Sequence, residues 1–269
     1  MTRPADFRES TDALDPARAT AFCATLGLDP TILEQGNLPP FWHYLYFWEA
    51  RPADALGRDG HPKTGDFIPD LELPRRMWAG GDLRFLHPLK LAQPATRKSH
   101  IADVRQKTGR SGPFALVEVA HEFWQGDTLC VRERQDLIYR KESVAGAPAP
   151  TPPKARVDET QSRTVSFSST LLFRYSALTF NGHRIHYDRD YCTAVEGYSG
   201  LVVHGPLLAQ MLIHLAMETI GNITSFQFRA TAPLFDFETA TLCAAPVEGG
   251  LDLWVRGPDG RQNMVATAS

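Results

Sequence analysis

Asn181, His183, Arg184, His186 and Asp188 crowd into one short stretch, Ser176-Ala177-Leu178-Thr179-Phe180-Asn181-Gly182-His183-Arg184-Ile185-His186-Tyr187-Asp188. His186 is the natural acid or base of this group, because an unperturbed imidazole titrates near neutral pH. Asn181 exchanges no proton at that pH, but its amide can orient a water or hold a carbonyl. Further along, Gly200-Leu201-Val202-Val203-His204-Gly205-Pro206 runs into an apolar segment, Leu207 to Ile220. Gly205 reads as an N-cap and Pro206 as the first helical residue, where a missing N–H costs nothing. The unpaired N–H groups at Gly205 and just beyond point toward any negative charge placed there. The stretch therefore sets an acid/base group ahead of an anion-stabilising helix start.

The element that must position these groups is the helix itself. Leu207, Leu208, Met211, Leu212, Ile213, Leu215, Ala216 and Ile220 make it apolar on nearly every side, the mark of a buried helix. Gln210, His214 and Glu218 are four apart and form one polar stripe, read as facing water or a sheet edge. Gly221-Asn222 is its stop signal. The span is too short to cross a bilayer.

Cluster and helix together resemble the hydratase signature of MaoC-like hotdog proteins. That resemblance implies that His186 is the catalytic histidine. It puts His204-Gly205 on the family's His-Gly pair, with the Gly205 amide as oxyanion donor for a thioester carbonyl that becomes an enolate. Asn181 falls where most members carry a catalytic Asp, so one of two acid/base groups is missing. The wording Phe180-Asn181-Gly182-His183-Arg184-Ile185-His186-Tyr187-Asp188 is similar to one branch, the type 2 hydroxyacyl-thioester dehydratases with mesaconyl-C4-CoA and itaconyl-CoA hydratases beside them, where Asn is usual. Met77-Trp78-Ala79-Gly80-Gly81 and Gly109-Arg110-Ser111-Gly112-Pro113 extend a weaker resemblance to the same branch.

The activity so implied is a hydro-lyase adding water reversibly to an enoyl-CoA thioester. The implied substrate is a short branched dicarboxylyl-CoA, itaconyl-CoA or mesaconyl-C4-CoA, giving citramalyl-CoA. The rival readings are a 3-hydroxyacyl-thioester dehydratase of fatty-acid synthesis, a hotdog thioesterase and a non-catalytic acyl-CoA binding module. No cofactor or metal is expected, coenzyme A being the carrier portion of the substrate. Arg184 and Arg174 are candidates to pair with a substrate carboxylate, weighed evenly against surface ion pairs with Asp188 or Glu196. His204 reads as a brace of the loop through a backbone bond, Asp188 as orienting a neighbour and His183 as solvent exposed. His43 and Tyr44 are candidates to line the acyl pocket, with aromatic core packing as the favoured alternative.

Composition agrees with a globular enzyme. The chain has 269 residues, enough for one large domain or two small ones, and a net charge of −3 that points to no nucleic-acid partner. With no apolar leader or membrane-length run, a cytoplasmic protein off the membrane is expected. Four scattered cysteines lack metal or disulfide spacing and read as buried thiols.

Taken in order, residues 1–14 read as loose. Asp15-Pro16 opens a helix that Gly27 and Pro30 close. The aromatic run Phe41 to Trp48 is assigned to a second helix. Residues 51–74, rich in Pro, Gly and Asp, make a long loop of the kind that borders a binding site. An antiparallel meander follows, from Asp82 to Tyr139. The organisation predicted is an N-terminal hotdog over 1–143, a Pro/Ala-rich linker over 144–160, and a C-terminal hotdog over 161–269 that carries the motif. Leu83 to Leu89 faintly repeats as Phe228 to Leu234. The fold class is α+β, a double hotdog of two curved antiparallel sheets, each around a long helix. Open sheet edges make a homodimer the default.

Overall fold

The computed structural model describes residues 7–109, 112–141 and 151–269. The Arg110-Ser111 pair of one motif and the start of the linker lie outside the described residues. The first half comprises β1 (Arg8–Asp12), α1 (Pro16–Leu26), β2 (Asn37–Leu38), β3 (Arg75–Phe85), β4 (Leu89–Lys90), β5 (Ala95–Gly109), β6 (Gly112–Gln125) and β7 (Thr128–Arg140). The second comprises β8 (Gln161–Ser166), α2 (Ser169–Thr179), α3 (Gly205–Ile220), β9 (Ser225–Ala230), β10 (Thr239–Val247), β11 (Gly250–Arg256) and β12 (Gln262–Ala268). Ten strands form one antiparallel sheet in the order β1-β5-β6-β7-β3-β9-β12-β11-β10-β8, and β2 and β4 form a small ribbon.

The two halves meet edge to edge where β3 pairs with β9, from Gly80 opposite Arg229 to Arg84 opposite Ser225. These are the strands of the faint repeat. Aligning Leu83 with Phe228 also aligns Asp82 with Gln227, and those two face each other at the middle of the seam. Corresponding residues thus meet on a local two-fold, as a duplicated unit paired with itself requires. Two glycines make the approach possible. A Cβ on Gly80 would lie 2.5 Å from the Phe228 carbonyl oxygen, and one on Gly81 would lie 2.8 Å from the Phe228 ring.

Helix α3 is the buried centre of the second half, as expected. Leu207, Leu208, Leu212, Ile213, Leu215 and Ala216 are all enclosed. The helix begins one residue earlier than the sequence suggests, with His204 as N-cap and Gly205 as its first residue. The polar stripe does not face water. Gln210 and His214 are buried, and the His214 Nε2 receives the Trp42 indole N–H at 2.9 Å and the Gln210 amide at 2.9 Å. Only Glu218 reaches the surface, where it pairs with Arg163.

The first half lacks the long helix expected over the aromatic run. Phe41 and Phe47 both take positive φ, and only Trp42–Leu45 make one 3₁₀ turn between them. A helix would send four successive aromatic side chains around its circumference. The irregular backbone instead aims each inward: Phe41 onto Phe226 and Phe228, Trp42 at His214, and His43 and Tyr44 at the buried Glu133. The first helix, α1, forms as read, with Asp15 capping Ala17 N–H and Gly27 in the left-handed region. It packs through Phe22 on Trp42 and Tyr175 rather than on the sheet. Residues 8–12, read as loose, form strand β1 on β5. Residues 151–160 lie along the outer face of the second half, where Ala155 packs beside Cys243, Ala245 and Trp254. All four cysteines are free and buried. Among the described residues no helix is long and apolar enough to cross a membrane.

The seam yields a test. Gly80→Ala puts a methyl against backbone that has no rotamer to yield, so it should destabilise the fold by about 1–3 kcal/mol. Urea unfolding at constant m-value measures it. An unchanged midpoint would mean that the halves do not approach this closely.

Candidate active site

The loop between α2 and α3 is folded by local chemistry. α2 ends at Phe180 in the left-handed conformation, and Asn181 N–H donates back to the Ser176 carbonyl at 2.8 Å. The Asn181 side-chain oxygen then accepts the His183 N–H at 3.0 Å, a turn that Asn makes readily. A single 3₁₀ turn over Arg184–His186 follows and buries Ile185 and His186.

His186 is held by one strong bond. Its Nδ1 lies 2.7 Å from the Val202 carbonyl oxygen, while Val202 N–H donates to the Ile185 carbonyl at 3.0 Å. A carbonyl only accepts, so Nδ1 carries the hydrogen and Nε2 keeps its lone pair. His204 stacks on His186 with ring centroids 3.7 Å apart and planes at 20°. The His204 Nε2 bonds the Ser176 hydroxyl at 2.8 Å. The brace is thus a side-chain bond to α2 rather than the backbone bond expected. On the other side His183 meets His186 edge-on at 5.3 Å. His183 is 8% exposed, which corrects the expectation that it faces solvent.

His183 is buried because the first half covers it. The loop 51–74 sets the His61 ring against His183 at 4.5 Å, edge to face. Arg184 N–H donates to the Asp59 carbonyl at 2.9 Å. Gly60 lies so close to the Asn181–His186 turn that a Cβ on it would sit 2.0 Å from the Gly182 carbonyl oxygen. A Cβ on Gly182 would sit 2.8 Å from the Gly60 carbonyl oxygen, so neither glycine is replaceable without parting the two loops. Asp59, His61 and His183 bring one ligand atom each to within 4.8 Å of the others, a donor set that suits a divalent metal. Burial chiefly holds the two imidazoles down, and the Arg76 cation, which acts on all three groups, adds to this and opposes a second positive charge there.

At the helix start the Gly205 N–H donates to no protein group among the described residues, and the Trp78 carbonyl is the nearest atom to a Cβ built there, at 3.9 Å. The site is therefore assembled from both halves: His183, His186, His204 and Gly205 from the second, His61 and Asp59 from the first.

The other predicted residues fall elsewhere. Arg184 is committed to the loop. Its Nε and Nη2 donate to Asp188 at 3.0 and 2.7 Å, its Nη1 donates to the Arg58 carbonyl, and its guanidinium covers the Tyr191 ring at 4.1 Å. Asp188 also caps Tyr191 N–H at 3.0 Å, so it orients neighbours as expected. Arg174 is exposed on α2, off the face that buries Leu172, Tyr175 and Ser176. His43 bonds the buried Glu133 at 3.1 Å, and Tyr44 bonds the same carboxylate while packing on Trp78 at 5.0 Å. Both belong to a polar knot under the first half of the sheet. Asp59 and His61 were missed by residue reading. The only signal was the length of their loop.

Burial favours the uncharged form of His121, His183, His186, His204 and His214. It pushes His121 down to about 3 and His186 and His214 to about 4, and lowers His183 and His204 as well. In the unfolded chain each imidazole takes a proton near pH 6.5. Below that pH the unfolded state binds more protons, so this contribution to stability is whole above 6.5 and is lost as pH falls toward 4. Thermal midpoints should therefore fall between pH 6.5 and 4.5. The fall should be shallower in His214→Gln, and a flat profile over that window would contradict neutral burial.

Comparison with known proteins identifies the family and the fold. A family model described as "Hydroxyacyl-thioester dehydratase type 2" matches residues 41–236. The mesaconyl-C(4)-CoA hydratase of Chloroflexus aurantiacus is 47% identical over 258 residues, covering 94% of this chain and 92% of that protein. Among solved structures, a MaoC-like dehydratase from Phytophthora capsici superposes with a TM-score of 0.72 at 14% identity, covering 98% of this chain and 95% of that one. A Mycobacterium tuberculosis protein described as a double hotdog superposes with a TM-score of 0.59 at 14% identity, covering 99% and 96%. The fold is that of the double-hotdog dehydratases, a class of lyases. Within it, the chain belongs to the hydroxyacyl-thioester dehydratase type 2 family.

Proposed function

We propose that this enzyme adds water reversibly to a short branched dicarboxylyl-CoA, mesaconyl-C4-CoA first, with His186 as the acid/base and the Gly205 N–H as oxyanion donor. The observation that carries the reading is the pinned His186 tautomer, stacked on His204, the residue just before the unpaired helix-start N–H of Gly205. The likeness to the Chloroflexus hydratase supports the choice of substrate.

The steps balance on one imidazole. Neutral His186 takes a proton from water through Nε2 as the water oxygen bonds to the β-carbon. The π electrons pass through the α-carbon to the thioester oxygen. That oxygen meets the Gly205 N–H at the positive end of α3. The imidazolium then returns the proton to the α-carbon, which restores the carbonyl and neutral His186. Stacking on His204 and the Val202 carbonyl fix the ring for both transfers. Asn181 serves by shaping the turn through the His183 N–H, and its amide nitrogen remains for water. Coenzyme A is the carrier of the acyl group. A homodimer belongs to the same proposal, since β1 and β8 remain as sheet edges.

Loss of enoyl absorbance on mesaconyl-C4-CoA, itaconyl-CoA and crotonyl-CoA, with free thiol assayed in parallel, separates hydration from thioester cleavage and from mere binding. His186→Ala should lower hydration by roughly 10²–10⁴-fold with the fold intact. Asn181→Ala should lose far less. Because His186 is held near 4, its neutral form persists well below neutrality, and kcat/KM for hydration should stay level down to about pH 5. Full activity in His186→Ala would remove it from the mechanism.

A further inference from the structure

A dicarboxylyl substrate brings a second negative charge into the site, and of the cations first considered for it one is engaged and the other faces solvent. Arg184 is held by Asp188, and Arg174 stands on the exposed face of α2. Arg75 pairs with Glu196 at 2.8 Å and reaches Tyr198 at 3.3 Å. Arg76 differs from these. Ahead of the bulge at Trp78–Gly80 it shares a strand face with Trp78, whose carbonyl borders Gly205. It stands opposite the buried Tyr139 on β7. It is only partly exposed, and among the described residues no group forms a hydrogen bond or an ion pair with its guanidinium. Its charge nevertheless bears on Asp59, His61 and His183.

We propose that Arg76 receives the distal carboxylate of the acyl group, with His61 and His183 beside it. This rests on the dicarboxylyl-CoA reading above. A partly buried guanidinium with no bonded partner is an unfinished arrangement, and a carboxylate completes it with two parallel hydrogen bonds. Neutral imidazoles suit the place, since they offer N–H groups without adding charge. The carboxylate end would thus be held by β3 of the first half while the reacting carbons lie under His186 of the second. Substrate choice and bond chemistry would be divided between the halves. The CoA phosphates are a rival anion for Arg76, and the choice of substrates separates the two.

The experiment compares kcat/KM on mesaconyl-C4-CoA and crotonyl-CoA for the wild type, Arg76→Gln and Arg76→Lys, each shown folded by its thermal midpoint. The ratio of the two values should fall roughly 10–100-fold in Arg76→Gln, the worth of a charge-assisted hydrogen bond, and recover in part in Arg76→Lys. Equal losses on both substrates would overturn the proposal by assigning Arg76 to the CoA phosphates or to the fold, and no loss on mesaconyl-C4-CoA would overturn it outright. A wild type that hydrates crotonyl-CoA but not mesaconyl-C4-CoA would remove the substrate reading itself, and this is visible before any substitution is made.

Discussion

An imidazole buried without charge is the condition on which this site rests. His61, His183, His186 and His204 touch in series, at 4.5, 5.3 and 3.7 Å between ring centroids. Protonated rings at such spacings would repel strongly in a medium that screens little. Desolvation keeps them neutral, and neutrality in turn permits the stacking. A neutral ring must still place its one hydrogen, and the Val202 carbonyl settles that for His186. The remaining lone pair is the base of the proposed reaction. The same condition explains an oddity at His204, whose Nδ1 is buried with no partner. Such an atom is costly in isolation. Here it sits in the ring that stacks on His186, and the loss is borne by the packing of α3 and α2 around it.

Burial of that series depends on the first half. Without the loop that carries Asp59, Gly60 and His61, His183 would be wetted and its charge equilibrium restored toward that of a free imidazole. The Gly60–Gly182 contact is therefore as much an electrostatic device as a steric one. It depends in turn on the seam between β3 and β9, which sets the two halves in one sheet and brings β3 alongside the start of α3.

Much of this was legible in the residues. The buried helix, its start at Gly205-Pro206, the meander and the polar loop follow from periodicity and turn chemistry. His186 stands out by residue type as a group able to carry a proton, but its assignment came from the family resemblance. What did not follow is everything set by contact between distant segments. Periodicity has no means of showing that Gln210 and His214 point at Trp42, because a stripe of polar residues reads alike whether it meets water or a buried indole. Nor could it show that the aromatic run breaks its helix, since the demand comes from Phe226, Phe228 and Glu133 on other strands. For Arg184 the residues left a substrate carboxylate and an ion pair evenly balanced, and the fold gives it to Asp188 four residues on. Asp59 and His61 sit far from His186 in sequence in a stretch with no regular structure, and only the fold puts them beside it.

The seam also governs how the molecule comes into being. Within the first half, β3 is an outermost strand, and its partner β9 lies beyond α3 in the chain. During synthesis the first half therefore leaves the ribosome with a bare edge, including the flat Gly80-Gly81 pair. It must wait for most of the second half before that edge is closed. An unpaired edge of this kind invites pairing with another nascent chain. The flanking Asp82 and Arg84 put charge on the waiting strand, which discourages such encounters until its proper neighbour arrives.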